Sequence, residues 1–270
     1  MDGYLDLNGA RFAYSARGTG PPVVLLHGWM CNRGFWREQV GPLSASHRVL
    51  ALDFRGHGGS EVTDPGYTLD RLAEDVHEAM RALDATPAVV VGHSMGGMVA
   101  QRLAAVHPGK LTALVLVTTT AAADRSLISR RIRDDTPAEG FRAALLRHFP
   151  GWFLPTSDHE LAEWVRSEML RTPEHVALSL VDDYADVDLR PGLPHIQVPT
   201  LVIGATGDAS TPPLMSEEIA RLVPGATLAV IDGAGHFVQL ERPREVNQAL
   251  LEFFHSDGEV VTVDRSQYLR

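Results

Sequence analysis

Residues 87–97, Pro87-Ala88-Val89-Val90-Val91-Gly92-His93-Ser94-Met95-Gly96-Gly97, lead straight into the small-residue helical pattern Met98 to Val106. An apolar run, a G-x-S-x-G turn and a helix in succession are the setting in which a serine is held on a nucleophile elbow. Gly92 and Gly96 remove the Cβ atoms that would collide at so sharp a turn, and the serine between them is expected in a strained backbone conformation with its hydroxyl above the sheet. A serine alone is a poor nucleophile, so the turn has chemical meaning only with a base and an acid to orient that base. Gly207-Asp208 closes the apolar run Thr200 to Ile203, and Gly235-His236 follows the run Thr227 to Ile231. The chain order is Ser94, Asp208, His236.

Working outward, Tyr4 to Leu7 and Arg11 to Tyr14 flank Asn8-Gly9, a two-residue hairpin signal that predicts an antiparallel start. Val23 to Leu26, Val49 to Leu52, Ala88 to Val91, Leu114 to Val117, Leu201 to Ile203 and Leu228 to Ile231 are continuous apolar runs, the pattern of strands buried on both faces. Helical spacing lies between them at Leu72, Val76, Met80 and Leu83; at Val99, Leu103 and Val106; at Ile219 and Leu222; and at Val246, Leu250, Leu251 and Phe254. The expected fold is α/β, a doubly wound and mostly parallel eight-stranded sheet.

The alternation breaks between about Thr120 and Pro194, a segment with no convincing strand. Ser157-Asp158-His159-Glu160 reads as a capping box ahead of a helical face of Leu161, Trp164, Val165 and Met169, and Thr172-Pro173 as the start of a further helix through Leu180. Residues 1–120 and 193–256 are therefore assigned to the core and 121–192 to a helical cap over the carboxyl edge of the sheet, where ligands bind in open α/β folds. The tail, 257–270, is left open between an edge strand, a dimer arm and disorder, and a homodimer is compatible with the chain.

The chain has 270 residues, 44% of them hydrophobic, enough for a full core. Its net charge is −10, 24 basic against 34 acidic side chains, without a basic run to follow phosphates, so nucleic acid is not an expected partner. No window approaches 18 uncharged apolar residues and the N-terminus lacks a secretory pattern, which predicts a cytoplasmic protein with no membrane contact. The single cysteine, Cys31, excludes an intrachain disulfide and reads as a small buried residue.

Four motifs in order, His27-Gly28-Trp29, Asp53-Phe54-Arg55-Gly56-His57-Gly58, Gly92-His93-Ser94-Met95-Gly96-Gly97 and Gly235-His236 with Glu241 and Pro243 downstream, resemble the α/β-hydrolase superfamily, specifically its small capped members, over about Tyr4 to His255. The order Ser, Asp, His is the one expected of that superfamily. The resemblance implies a Ser94-His236-Asp208 catalytic triad with an oxyanion hole of the Met95 and Trp29 backbone N–H groups, and a chemistry that requires no metal or organic cofactor. Some relatives place the acid after the sixth strand, but Thr118-Thr119-Thr120 offers no carboxylate there, and Asp182, Asp183 and Asp232 are the other competitors of Asp208. Asp53 and Arg55 read as structural. Gly28, His27, His93, Trp152, Phe153 and Trp164 are candidate substrate contacts, although His27 reads first as a loop-shaping side chain, His93 as either a substrate contact or a support of the elbow, and the cap aromatics as packing or ligand contacts alike.

The reaction implied is hydrolysis of a small or medium carboxylic ester or lactone through an acyl-serine, with perhydrolysis sharing the same intermediate. A serine argues against the related dehalogenases and epoxide hydrolases, which carry aspartate at the elbow, and the absence of a Gly-Pro-Gly stretch after His27-Gly28 ranks carbon–carbon bond hydrolysis lower. Two readings of other classes stand beside it. One is a cofactor-free oxygenase or lyase in which His236 and Asp208 form a base pair and Ser94 only hydrogen-bonds substrate. The other is a ligand receptor.

Overall fold

A computed structural model describes residues 1–122 and 127–255. The tail 257–270 lies outside the described residues. Eight strands, β1 (Asp2–Leu7), β2 (Ala10–Arg17), β3 (Pro22–Leu26), β4 (Arg48–Leu52), β5 (Ala88–His93), β6 (Leu111–Val117), β7 (Thr200–Ala205) and β8 (Thr227–Ile231), form one sheet in the order β1-β2-β4-β3-β5-β6-β7-β8. β2 runs antiparallel to β1 and β4, and every other pairing is parallel. The hairpin closes as its sequence predicts, with Asn8 at φ 50° and Gly9 at φ 74° between paired Leu7 and Ala10.

The continuous apolar runs conceal a period of two. Val24, Leu26, Leu50, Leu52, Val90, Leu114 and Leu116 belong to one buried cluster, and Val23, Leu25, Val49, Ala51, Val91, Val115 and Val117 to the other. The first face is covered by α2 (Leu69–Ala82), α3 (Met95–Val106) and α8 (Pro213–Leu222), through Leu72, Val76, Met80, Leu103 and Ile219. The second is covered by α1 (Arg37–Leu43) and α10 (Pro243–His255), through Leu43, Val246 and Leu250, with the short α9 (Val238–Glu241) leading in. Each such side chain contributes about 1.5–3 kcal/mol by leaving water, so a polar substitution at Val90 would unseat the strand that carries the elbow.

Between β6 and β7 the chain forms α4 (Ile128–Glu139), α5 (Phe141–His148), α6 (His159–Met169) and α7 (Glu174–Tyr184) and, apart from the isolated bridge Ala122–Asp188, no strand among the described residues. Two local expectations are corrected. The N-cap of α6 is Asp158, whose Oδ1 accepts from the N–H groups of Glu160 and Leu161, while the Ser157 hydroxyl is engaged by Glu241. At α7 the capping position is Pro173, one residue later than expected, because the Thr172 hydroxyl donates to the Met30 carbonyl instead. No helix among the described residues is long and apolar enough to cross a membrane.

Candidate active site

β5 ends at His93, and Ser94 stands at φ 53°, ψ −122° as the residue before α3. That left-handed conformation is costly for a side-chain-bearing residue and persists only where its surroundings enforce it. Here they do. A Cβ at Gly96 would collide with the carbonyl oxygens of Leu26 and His27, and one at Gly92 with the carbonyl of Gly96. Gly97 abuts Thr119, whose hydroxyl donates to the Ser94 carbonyl at 2.6 Å. The threonines after β6 thus brace the elbow, a role that had no signal in the sequence.

Three side chains from three strand ends converge. Ser94 Oγ lies 2.9 Å from His236 Nε2, and His236 Nδ1 lies 2.8 Å from Asp208 Oδ2. A carboxylate only accepts, so Nδ1 carries the ring proton and Nε2 is left bare to accept from the serine hydroxyl. The Asp208 carboxylate is buried and also accepts from Ser210 N at 2.8 Å, Thr211 N at 2.9 Å and Thr211 Oγ1 at 2.6 Å. Its competitors are occupied elsewhere: Asp182 pairs with Arg133, Asp183 accepts from the N–H of Leu69, and Asp232 accepts from Thr206 Oγ1.

The backbone of His236 is also held. Its carbonyl accepts from His93 Nε2 at 3.0 Å and Thr118 Oγ1 at 2.9 Å, and its N–H donates to the carbonyl of Trp152, from the segment between β6 and β7, at 2.8 Å. Burial, first, and then the neighbouring His236 ring hold His93 well below the ordinary histidine range, so it remains a neutral donor to that carbonyl.

Residues 28–31 form a tight turn closed by Cys31 N donating to Gly28 O at 3.1 Å, with Met30 at φ 57°. Met95 is the first residue of α3, where a helix leaves N–H groups without intrahelical partners and places the positive end of its dipole. Gly28, Trp29, Met95 and His93 line one cavity with Ser94 and His236, and the segment between β6 and β7 adds Leu127, Ser129, Trp152, Met169 and Tyr184 to its wall. The cavity is small, about 30 Å³, room for no more than a few water-sized atoms. Burial pushes both the Cys31 thiol and the Tyr184 phenol up, so neither ionises readily.

Three candidate contacts are placed outside the cavity lining. Buried His27 donates from Nδ1 to the Gly28 carbonyl at 2.8 Å and accepts at Nε2 from Phe54 N at 3.0 Å, so it shapes the loop beneath the site. Phe153 packs on Phe149 and Phe237, and Trp164 packs on Phe35 under the Arg37 guanidinium. Phe153 and Trp164 thus each have aromatic neighbours, and Trp164 a cationic one as well. Asp53 pairs with Arg33 and Arg55 with Asp75, both structural, as their positions suggest. Among the described residues no group of three or more His, Cys, Asp or Glu is arranged to hold a metal ion.

The sequence matches the alpha/beta hydrolase family over residues 23–249. It is 33% identical over 260 residues to a putative non-heme bromoperoxidase, BpoC, of Mycobacterium tuberculosis, covering 90% of this chain and 97% of that one. Among solved structures, the enol-lactonase of Burkholderia xenovorans LB400 superimposes with a TM-score of 0.86 at 30% identity, covering 94% of this chain and 100% of that one. A thermophilic esterase of Thermogutta terrifontis does so with a TM-score of 0.85 at 30% identity, covering 96% and 99%. With the eight-stranded sheet and the order of its strands, these matches make the chain a member of the alpha/beta hydrolase family.

Proposed function

We propose that this protein is a serine hydrolase that cleaves small or medium carboxylic esters or lactones through an acyl-Ser94 intermediate. The observation that carries the reading is the continuous relay of 2.9 Å from Ser94 Oγ to His236 Nε2 and 2.8 Å from His236 Nδ1 to Asp208 Oδ2.

Ser94 Oγ attacks the carbonyl carbon as its proton passes to His236 Nε2, and Asp208 stabilises the resulting imidazolium while holding the ring. Charge collects on the carbonyl oxygen, and the Met95 and Trp29 N–H groups are the donors proposed to meet it; one such donor is commonly worth about 10² to 10³ in turnover. The imidazolium then protonates the departing alkoxide. Water, deprotonated by the same imidazole, attacks the acyl carbon; the bond from that carbon to Ser94 Oγ then breaks, His236 returns the proton to Ser94 Oγ, and the acid is released. Hydrogen peroxide in place of water would give a peracid from the same intermediate, a side reaction that the likeness to a putative bromoperoxidase favours.

The small cavity favours short acyl groups. In a p-nitrophenyl ester series of rising acyl length, the wild type is expected to turn over the short members fastest, and Ser94→Ala to lose at least about a thousandfold, as loss of a triad member does. Undiminished turnover in Ser94→Ala would refute the acyl-serine mechanism and favour a His236-Asp208 base pair.

A further inference from the structure

The loop that carries His236 is bound to the cap by a carboxylate that takes no part in the proton relay. Glu241, at the end of α9, accepts from the N–H of Gly235 through Oε1 at 3.0 Å and from the Ser157 hydroxyl through Oε2 at 2.6 Å. Ser157 Oγ in turn accepts from Leu154 N at 3.0 Å, and Ser157 N donates to the Leu154 carbonyl at 2.9 Å, so residues 154–157 form a closed turn. The same stretch of cap supplies the Trp152 carbonyl that receives the His236 N–H at 2.8 Å.

The glycines before the acid and before the base make this contact possible. A Cβ on Gly235 would stand 2.5 Å from the Trp152 carbonyl oxygen and 3.1 Å from Glu241 Oε1, and one on Gly207 would stand 2.5 Å from Leu154 Cδ2. The cap turn is therefore pressed against both triad loops. From the sheet side, His93 and Thr118 fix the His236 carbonyl and Gly207 N–H holds the Ala234 carbonyl; from the cap side, among the described residues, this latch and the Trp152 carbonyl hold the N–H groups of Gly235 and His236.

We infer that Glu241, with Ser157 as its partner in the cap, is a positioning residue that holds the Gly235-His236 peptide against Trp152 and so keeps the imidazole in line between Asp208 and Ser94. The cap then places the base as well as walling the pocket. The inference rests on the acyl-serine reading. A purely structural tie would lower the melting temperature and leave turnover below it unchanged.

The test is the hydrolysis of p-nitrophenyl acetate, whose small acyl group makes few demands on the cap, by the full chain and its variants. Glu241→Ala should lose about 10- to 100-fold in kcat, the scale of a misplaced catalytic group, with KM shifted by no more than about twofold. Glu241→Gln should recover most of that loss, since its amide oxygen can take the Gly235 N–H while its NH2 donates to Ser157 Oγ. Ser157→Ala, which cuts only the cap side, should fall between them. Asp158→Ala, which weakens the neighbouring helix cap, should lower the melting temperature and leave kcat alone.

A folded Glu241→Ala with wild-type kcat overturns the latch, as does a Glu241→Gln no better than Glu241→Ala. Should Glu241→Ala not fold, wild-type kcat in Ser157→Ala overturns it. Absence of Ser94-dependent turnover in the wild type sinks the acyl-serine reading and this inference together, whereas Ser94-dependent turnover that ignores both substitutions sinks the latch alone.

Discussion

Asp208→Asn separates the proposed catalytic role of this carboxylate from its role in the fold. Oδ1 accepts from two backbone N–H groups, of Ser210 at 2.8 Å and Thr211 at 2.9 Å, while Oδ2 faces Thr211 Oγ1 at 2.6 Å and His236 Nδ1 at 2.8 Å. An asparagine has one acceptor oxygen, and leaving a buried N–H unmet costs about 1–3 kcal/mol, so its oxygen should take the Oδ1 place and satisfy both backbone groups. Its NH2 then lies against His236 Nδ1. A donor there requires a bare Nδ1, which moves the ring proton to Nε2, and Nε2 can no longer accept the proton of Ser94. The Thr211 hydroxyl accepts from the same NH2, so the acid loop stays folded. Wrong-tautomer variants of this kind lose about 10⁴ in kcat, equivalent to about 5.5 kcal/mol at about 1.36 kcal/mol per factor of ten. Steady-state hydrolysis of a short p-nitrophenyl ester, with thermal melting of the same samples, reads both effects. Turnover within about tenfold of wild type in a folded Asp208→Asn would refute the assignment, because the tautomer argument leaves no route to so small a loss.

Three further outcomes concern the frame around the site. Gly96→Ala pushes a methyl group into the carbonyls of Leu26 and His27, so it should cost about 1–3 kcal/mol in urea unfolding and depress kcat by shifting Ser94; an unchanged midpoint would contradict the packing described. Arg55→Ala leaves buried Asp75 with the partly exposed Arg71 and the exposed Asn8, and should cost about 3 kcal/mol, whereas Arg55→Met with Asp75→Leu should cost less; the reverse order would contradict the desolvation argument. Burial, chiefly, lowers both His27 and His57 to about 3, and for His27 a charged ring would also lose its bond from Phe54 N–H. Between pH 6.5 and 3 the unfolded chain therefore binds more protons than the folded one, and stability falls as the pH falls, by up to about 1.4 kcal/mol per pH unit from each ring. Urea midpoints of wild type and His57→Gln from pH 7 to 4 should converge on acidification, and parallel curves would place the acid sensitivity elsewhere.

The sheet and the convergence of Ser94, Asp208 and His236 were legible because each leaves a local pattern. A strand buried on both faces must be apolar at every position, and the elbow needs glycine wherever a Cβ would meet a carbonyl, as at Gly92 and Gly96. Asp208 and His236 follow the ends of β7 and β8 for the same reason of access. What failed to show was set by distant partners. Ser157 and Asp158 can each cap a helix, and the choice falls to Asp158 because Glu241, 84 residues on, claims the Ser157 hydroxyl. Thr172 is drawn off its cap by the Met30 carbonyl, 142 residues away in sequence. Trp164 and Phe153 have the composition of pocket walls, yet Phe35, Arg37, Phe149 and Phe237 meet them first. Thr118 and Thr119, which brace His236 and Ser94, carry no motif because what they bind is backbone carbonyl, and any residue could supply that.

The central claim, a covalent acyl group on Ser94, is tested most directly by mixing the protein with p-nitrophenyl acetate, quenching in acid during the first turnover and locating the adduct by peptide mass spectrometry. One acetyl group on Ser94, absent from Ser94→Ala, is the predicted result. Release of p-nitrophenol at full rate with Ser94 unmodified at every quench time, or acetyl found on another residue that turns over, would contradict it.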